Sequence, residues 1–83
     1  MYKIAFTEDA EKEFLKLEKH TQKLIASKLR DLQEGKFSKD KPLKGKFNGK
    51  FRKRAGNYRI VYFRQGSLLL ITIIRIAHRK EIY

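Results

Sequence analysis

The stretch Gly56-Asn57-Tyr58-Arg59-Ile60-Val61-Tyr62-Phe63-Arg64, with the apolar run Leu68 to Ile76 that follows, limits the folds open to this chain more than any other feature. Residues 58–64 are aromatic, β-branched or arginine, side chains that fit a pleated, half-buried surface, so the segment predicts a strand. Tyr58, Ile60 and Tyr62 share one face of it, opposite Arg59, Val61 and Phe63. Gln65-Gly66-Ser67 is a short polar break. Leu68 to Ile74 is then apolar on both alternating faces, which predicts the second strand of a hairpin, buried on both sides and central in its sheet.

The rest of the chain supplies what packs on that hairpin. Tyr2, Ile4 and Phe6 alternate with Lys3 and Ala5 as a first strand with one apolar face. Thr7 is placed to cap a helix, Glu8, Asp9 and Glu11 suit the positive end of its dipole, and Ala10, Phe14 and Leu17 follow helical spacing. His20-Thr21 reads as a break, with Thr21 capping a second helix whose stripe is Leu24, Ile25, Leu29 and Leu32 and which Gly35 closes. So short a link makes the two helices an antiparallel hairpin. Residues 36–46 form a basic loop with the only proline, Pro42. Phe47 to Arg54 alternates roughly, setting Lys50, Arg52 and Arg54 on one face of a further strand and Phe47 and Phe51 on the other. The order β-α-α-β-β-β, with a short terminal strand or extended tail, predicts one α+β domain over residues 1–83. In it the N-terminal strand and helical hairpin pack on a mainly antiparallel twisted sheet.

Composition narrows the class. At 83 residues and 41% hydrophobic content the core is only just sufficient for one domain. No apolar run approaches the roughly 20 residues of a membrane span, so a soluble protein with no membrane partner is expected. Met1 leads directly into the first strand without a secretion signal, and the absence of cysteine removes disulfides and thiolate zinc sites, both of which suit a cytoplasmic protein. The formal net charge is +12, of which residues 1–40 contribute +1 and residues 41–83 contribute +11. A small chain with that asymmetry attracts polyphosphate or a strongly acidic protein. The plainer reading of the same charge is a solubilising lysine-rich surface.

Several chemistries are poorly served. The basic half has only Glu81 as a carboxylate, so it cannot by itself build a two-metal nuclease site. Gly45, Gly49 and Gly56 lack P-loop spacing, and Ser27, Ser38 and Ser67 have no nucleophile context. What remains is Lys50, Arg52, Arg54, Arg59, Arg75, His78, Arg79 and Tyr83. Metal-free RNA cleavage matches that set, because attack of a 2′-hydroxyl on its neighbouring phosphate needs a base, an acid and fixed positive charge. Tyr83 serves as base where guanidiniums favour its phenolate, His78 as acid, and Arg59 and Arg79 as charge stabilisers, arginine being a poor proton donor. Each has a plainer reading: Tyr58 and Tyr62 as core aromatics, Lys44, Lys46, Arg64 and His20 as solvated surface groups, Tyr83 as a frayed terminal residue. Arg75, in an apolar strand, needs a carboxylate, which helix one can supply.

Pro42-Leu43-Lys44-Gly45, Phe51-Arg52-Lys53-Arg54 leading to Gly56-Asn57-Tyr58-Arg59-Ile60-Val61-Tyr62, and Ile76-Ala77-His78-Arg79-Lys80-Glu81-Ile82-Tyr83 together resemble the RelE/ParE superfamily of bacterial and archaeal toxins. The resemblance implies the RelE-like fold and a type II toxin that forms a hetero-oligomer with a cognate acidic antitoxin, RelB-like in its RelE branch. For that branch it implies ribosome-dependent endoribonuclease activity on messenger RNA in the A site, with no metal or cofactor. By position, Lys50 and Arg52 resemble the basic pair that holds the phosphate, with Arg54 beside them as a further substrate-binding cation. Arg59 resembles the arginine of the Tyr-Arg segment, Arg79 the arginine near the C-terminus, and Tyr83 the terminal tyrosine that stacks on a base or takes the proton. Histidine is frequent at the position of His78 across the superfamily. Arg52 stands where lysine is common, and the tail after Arg79 is shorter than in some members. The ParE branch implies the other function, a DNA gyrase inhibitor without nuclease activity.

Overall fold

The computed structural model describes the backbone of residues 1–82 and side chains through Lys80, so Tyr83 lies outside the described residues. Its elements in chain order are β1 (Lys3–Phe6), α1 (Glu8–Leu15), α2 (Lys19–Gln33), β2 (Lys41–Pro42), β3 (Phe51–Ala55), β4 (Tyr58–Gln65), β5 (Leu70–His78) and α3 (Arg79–Ile82). The five strands form one sheet in the order β1-β5-β4-β3-β2. β1 runs parallel to β5, and every other pairing is antiparallel. This is the expected α+β architecture, with β4 rather than β5 in the middle position.

Helix boundaries follow local chemistry. The Thr7 hydroxyl accepts from the Ala10 N–H at 3.1 Å and donates to the Ile74 carbonyl at 3.0 Å, so one residue caps α1 and ties it to β5. The expected break at His20-Thr21 does not occur: both residues lie in the first turn of α2, which starts after Glu18. Gln22 fixes the link instead, its amide donating to the Phe14 carbonyl at 3.0 Å. At the other end Gly35 adopts φ +76°. Its N–H reaches the Leu32 carbonyl and the Lys36 N–H reaches that of Asp31, a Schellman closure that requires a left-handed residue.

Ala10, Ile25 and Leu32 of the helices pack on Ala55, Ile60, Tyr62, Ile71, Ile73 and Ile76 of the sheet. Ile73 and Ile76 are three apart yet share this face. The register explains it: Val61 pairs with Arg75 and Tyr62 with Ile73, so Ile74 is an extra residue and the alternation of β5 resets there. Leu68 and Leu69 fall outside β5 and are 64% and 49% exposed, which corrects the expectation of a run buried on both sides from Leu68.

β1 ends opposite Ile73, leaving the outer edge of β5 unpaired beyond it. Glu13 of α1 covers that edge, accepting from the Ile76 N–H and from Arg75 Nε, both at 2.8 Å. The carboxylate expected from helix one is therefore Glu13. Because the pair is only half-buried, Glu13→Ala is expected to lower stability by about 1–2 kcal/mol in urea unfolding, with Glu13→Gln closer to wild type.

Candidate functional site

Alternation along the antiparallel ladder sorts the basic residues. Phe51, Lys53 and Ala55 of β3 point towards the helices, so Arg52 and Arg54 point away from them. Arg54 stands opposite Arg59, and Arg59 stands opposite Ala77 on its other side. Arg52, Arg54 and Arg59 thus share the sheet face opposite α1 and α2, which is open at Arg54 and closed over Arg59 and Val61. Lys50 joins them by another route than a strand: Gly49 adopts φ +87° and the Lys50 N–H closes a turn on the Phe47 carbonyl, so β3 begins only at Phe51. Lys50 Nζ lies 5.9 Å from the centre of the Phe63 ring, next along that face from Val61.

Arg59 is the unusual member. It is 3% exposed, its Nη1 donates to the Tyr58 carbonyl at 3.2 Å, and its buried Nε meets no acceptor. Among the described residues no carboxylate pairs with it. A guanidinium taken out of water without an anion is costly, and Arg54 directly opposite adds like-charge repulsion. Both are relieved when an anion with several acceptor oxygens docks beside them.

The two-residue turn Gly56-Asn57 joins β3 to β4, with Gly56 at φ +60° as in a type II′ turn. The Asn57 carbonyl then accepts from the Arg79 N–H at 2.9 Å, which anchors the start of α3 beside the Arg59 end of the sheet. Arg79 itself is exposed, two residues beyond Ala77. His78 is placed differently from the expectation of an acid within the cluster. It pairs with Tyr58, and their rings meet edge to face at 5.5 Å, so the imidazole lies on the Tyr58 side, away from Arg59. Its Nδ1 accepts from the Lys80 N–H at 3.4 Å, which makes it a local cap for the first turn of α3.

The sequence reading passed over Lys53 and Asp40. Lys53 Nζ donates to Asp40 Oδ1 and to the Lys36 carbonyl, each at 3.0 Å, and the Tyr62 hydroxyl donates to the other Asp40 oxygen. The ion-pair side chains are 10% and 3% exposed. Burial, then the hydrogen bond to the Asp40 carboxylate, pushes the Tyr62 phenol far above its ordinary value, so it remains a donor. This network pins residues 36–40 to the helix-facing side of the sheet, and β2 follows directly, Lys41 opposite Arg52. Among the described residues no three His, Asp or Glu side chains stand together as a metal site, and no helix is long and apolar enough to cross a membrane.

The fold recurs in known proteins. The toxin-antitoxin complex RelBE2 from Mycobacterium tuberculosis contains a chain 28% identical to this one, at TM-score 0.83 over 94% of this chain and 98% of that one. A chain of the intact Escherichia coli RelBE toxin-antitoxin complex is 25% identical, at TM-score 0.78 over 94% and 96%. The isolated Escherichia coli RelE toxin, 24% identical, shares the fold at TM-score 0.79 over 100% of this chain and 92% of that one. No curated protein matches the chain in sequence. The family model described as ParE toxin of type II toxin-antitoxin system, parDE, matches residues 4–83. With that match across nearly its full length and the RelE-like fold beneath it, the chain belongs to the ParE toxin family within the RelE/ParE superfamily and is a RelE-like type II toxin.

Proposed function

We propose that this toxin is an endoribonuclease that cuts messenger RNA in the ribosomal A site by attack of the 2′-hydroxyl on the adjacent phosphate. The observation that carries the reading is Arg59: buried, paired with no carboxylate among the described residues, and short of an acceptor at Nε. In the step, the 2′ oxygen bonds to phosphorus while the bond from phosphorus to the 5′ oxygen breaks, leaving a cyclic phosphate and a 5′-hydroxyl. Arg59 and Arg79 hold the charge of the phosphorane, and Arg52 and Arg54 hold the substrate phosphates. Tyr83 takes the 2′ proton. Of Lys50, Arg52, Arg54 and Arg59, only Lys50 carries an ammonium that releases a proton readily, so it protonates the 5′ oxygen. His78 positions α3 and its Arg79 rather than acting as the acid.

The partner is an acidic, RelB-like antitoxin, in keeping with the RelBE2 and RelBE complexes in which the similar chains are found. An acidic chain that is disordered when free covers such a cationic face or displaces the C-terminal segment. The second reading, gyrase inhibition without RNA cleavage, is favoured by the ParE description of the matching family.

Translation of a defined message followed by primer extension separates the two. The expected result is cleavage within codons, only with translating ribosomes, reduced at least about a hundredfold by Arg79→Ala and by Tyr83→Phe. Premixing with the antitoxin protects the message, less so at high salt. Intact message, with trapped gyrase–DNA cleavage complexes in a parallel reaction, would move the toxin to the other branch.

A further inference from the structure

An open cleft of about 600 Å³ lies between α2, the loop before β2 and β3. Lys28 of α2, Lys39 and Lys41 of the loop, and Arg52, Lys53 and Arg54 of β3 all line it. Seven of its lining residues are Lys or Arg against two Asp, and setting aside the Lys53–Asp40 ion pair leaves six cations against Asp31. Cations from three separate elements converge there, and the positive potential they sum to attracts an anion.

We infer that this cleft binds the phosphodiester backbone of single-stranded nucleic acid, which on the proposed reading is the RNA flanking the cleaved bond. Two features select a phosphate backbone over an acidic protein segment. The lining residues are charged or small and polar, with no aromatic or aliphatic side chain among them, whereas a peptide partner gains its affinity from apolar anchors in pockets. Arg52 and Arg54 also belong to both the cleft and the sheet face with Arg59, so one continuous polyanion passes from one to the other across β3. Contacts of that kind position the strand without reading its sequence. The buried Lys53-Asp40-Tyr62 network holds the loop in place, so the cleft is formed before the strand arrives.

The test is fluorescence anisotropy with uncleavable 2′-O-methyl RNA, a 12-mer and a trimer, and with polyglutamate as comparator. Lys28→Ala/Lys39→Ala removes two cleft cations and none of the residues assigned to catalysis. For the 12-mer, the slope of log affinity against log salt is expected to fall by about 1.4, and affinity at 0.1 M salt by about 25-fold. The trimer, which Arg54, Arg59 and Arg79 suffice to hold, is expected to bind both proteins alike. Unchanged 12-mer affinity and slope, equal losses for both RNAs, or a loss confined to polyglutamate would each overturn the inference. The binding readout needs no chemistry: a toxin that loses 12-mer affinity in this way yet never cuts message keeps the cleft and discards the nuclease.

Discussion

Asp40→Ala is expected to destabilise the toxin by about 3–5 kcal/mol, the largest effect of any single substitution away from the helix-packed apolar core. The change strands the Lys53 ammonium with only the Lys36 carbonyl as acceptor and leaves the Tyr62 hydroxyl without its partner. Lys53 is 8% exposed and Tyr62 1% exposed, so water does little to compensate. The triple variant Asp40→Leu/Lys53→Met/Tyr62→Phe removes all three polar groups together and is expected to recover most of the loss. A loss below about 1 kcal/mol in urea unfolding would mean that the network contributes nothing beyond packing. The same network fixes an alkaline limit. Tyr62 has its phenol raised by burial and by Asp40, so its contribution is complete below the unfolded value near 10 and declines as pH rises beyond it, where the unfolded phenol ionises and the folded one does not.

Arg59→Met is expected to do the reverse, raising stability by about 1–3 kcal/mol while cutting RNA cleavage by about 10²–10³-fold. A side chain of similar length without charge relieves the buried guanidinium, which has no carboxylate partner among the described residues, and its repulsion from Arg54. On the proposed function it also removes the donors that hold the phosphorane. Arg59→Lys is expected to restore little activity, because an ammonium lacks the planar fork of donors. Chemical denaturation and single-turnover cleavage read the two effects separately. A variant that is less stable and fully active would show that Arg59 is a structural residue after all.

These two residues also mark the limit of what could be read in the sequence. The Arg59 strand was plain, since aromatic and β-branched residues at alternating positions leave little else, and the turn at Gly56-Asn57 followed from its residue types. Thr7 and Gly35 were equally legible, because capping is a local matter. Lys53 was hidden within Phe51-Arg52-Lys53-Arg54, where one cation among three looks like surface. The signal was present: counted from Phe51, alternation sets Lys53 beside Phe51 and Ala55 on the buried side. Starting the strand at Phe47 obscured nothing of that parity, but no acid near in sequence pointed to Asp40, thirteen positions away. His78 was named as the acid for its chemistry alone, and its register partner, Tyr58, could not be read from the local pattern. The extra residue Ile74 and the parallel pairing of β1 depend on tertiary contacts, and no short-range pattern encodes them.

That parallel pairing has a bearing on how such a protein is made. Lys3–Phe6 is made before every other element described, yet among the described residues its only strand partner is Leu70–Ile73, and Ala77 beside Arg59 is later still. Through most of synthesis the first strand has no ladder to join, and closing so long a loop is slow as well as late. A chain halted at residue 65 is expected to lack a cooperative unfolding transition. On the proposed function this is a form of latency: the nascent toxin is inert towards the ribosome producing it, and becomes dangerous only after Leu70–His78 has emerged.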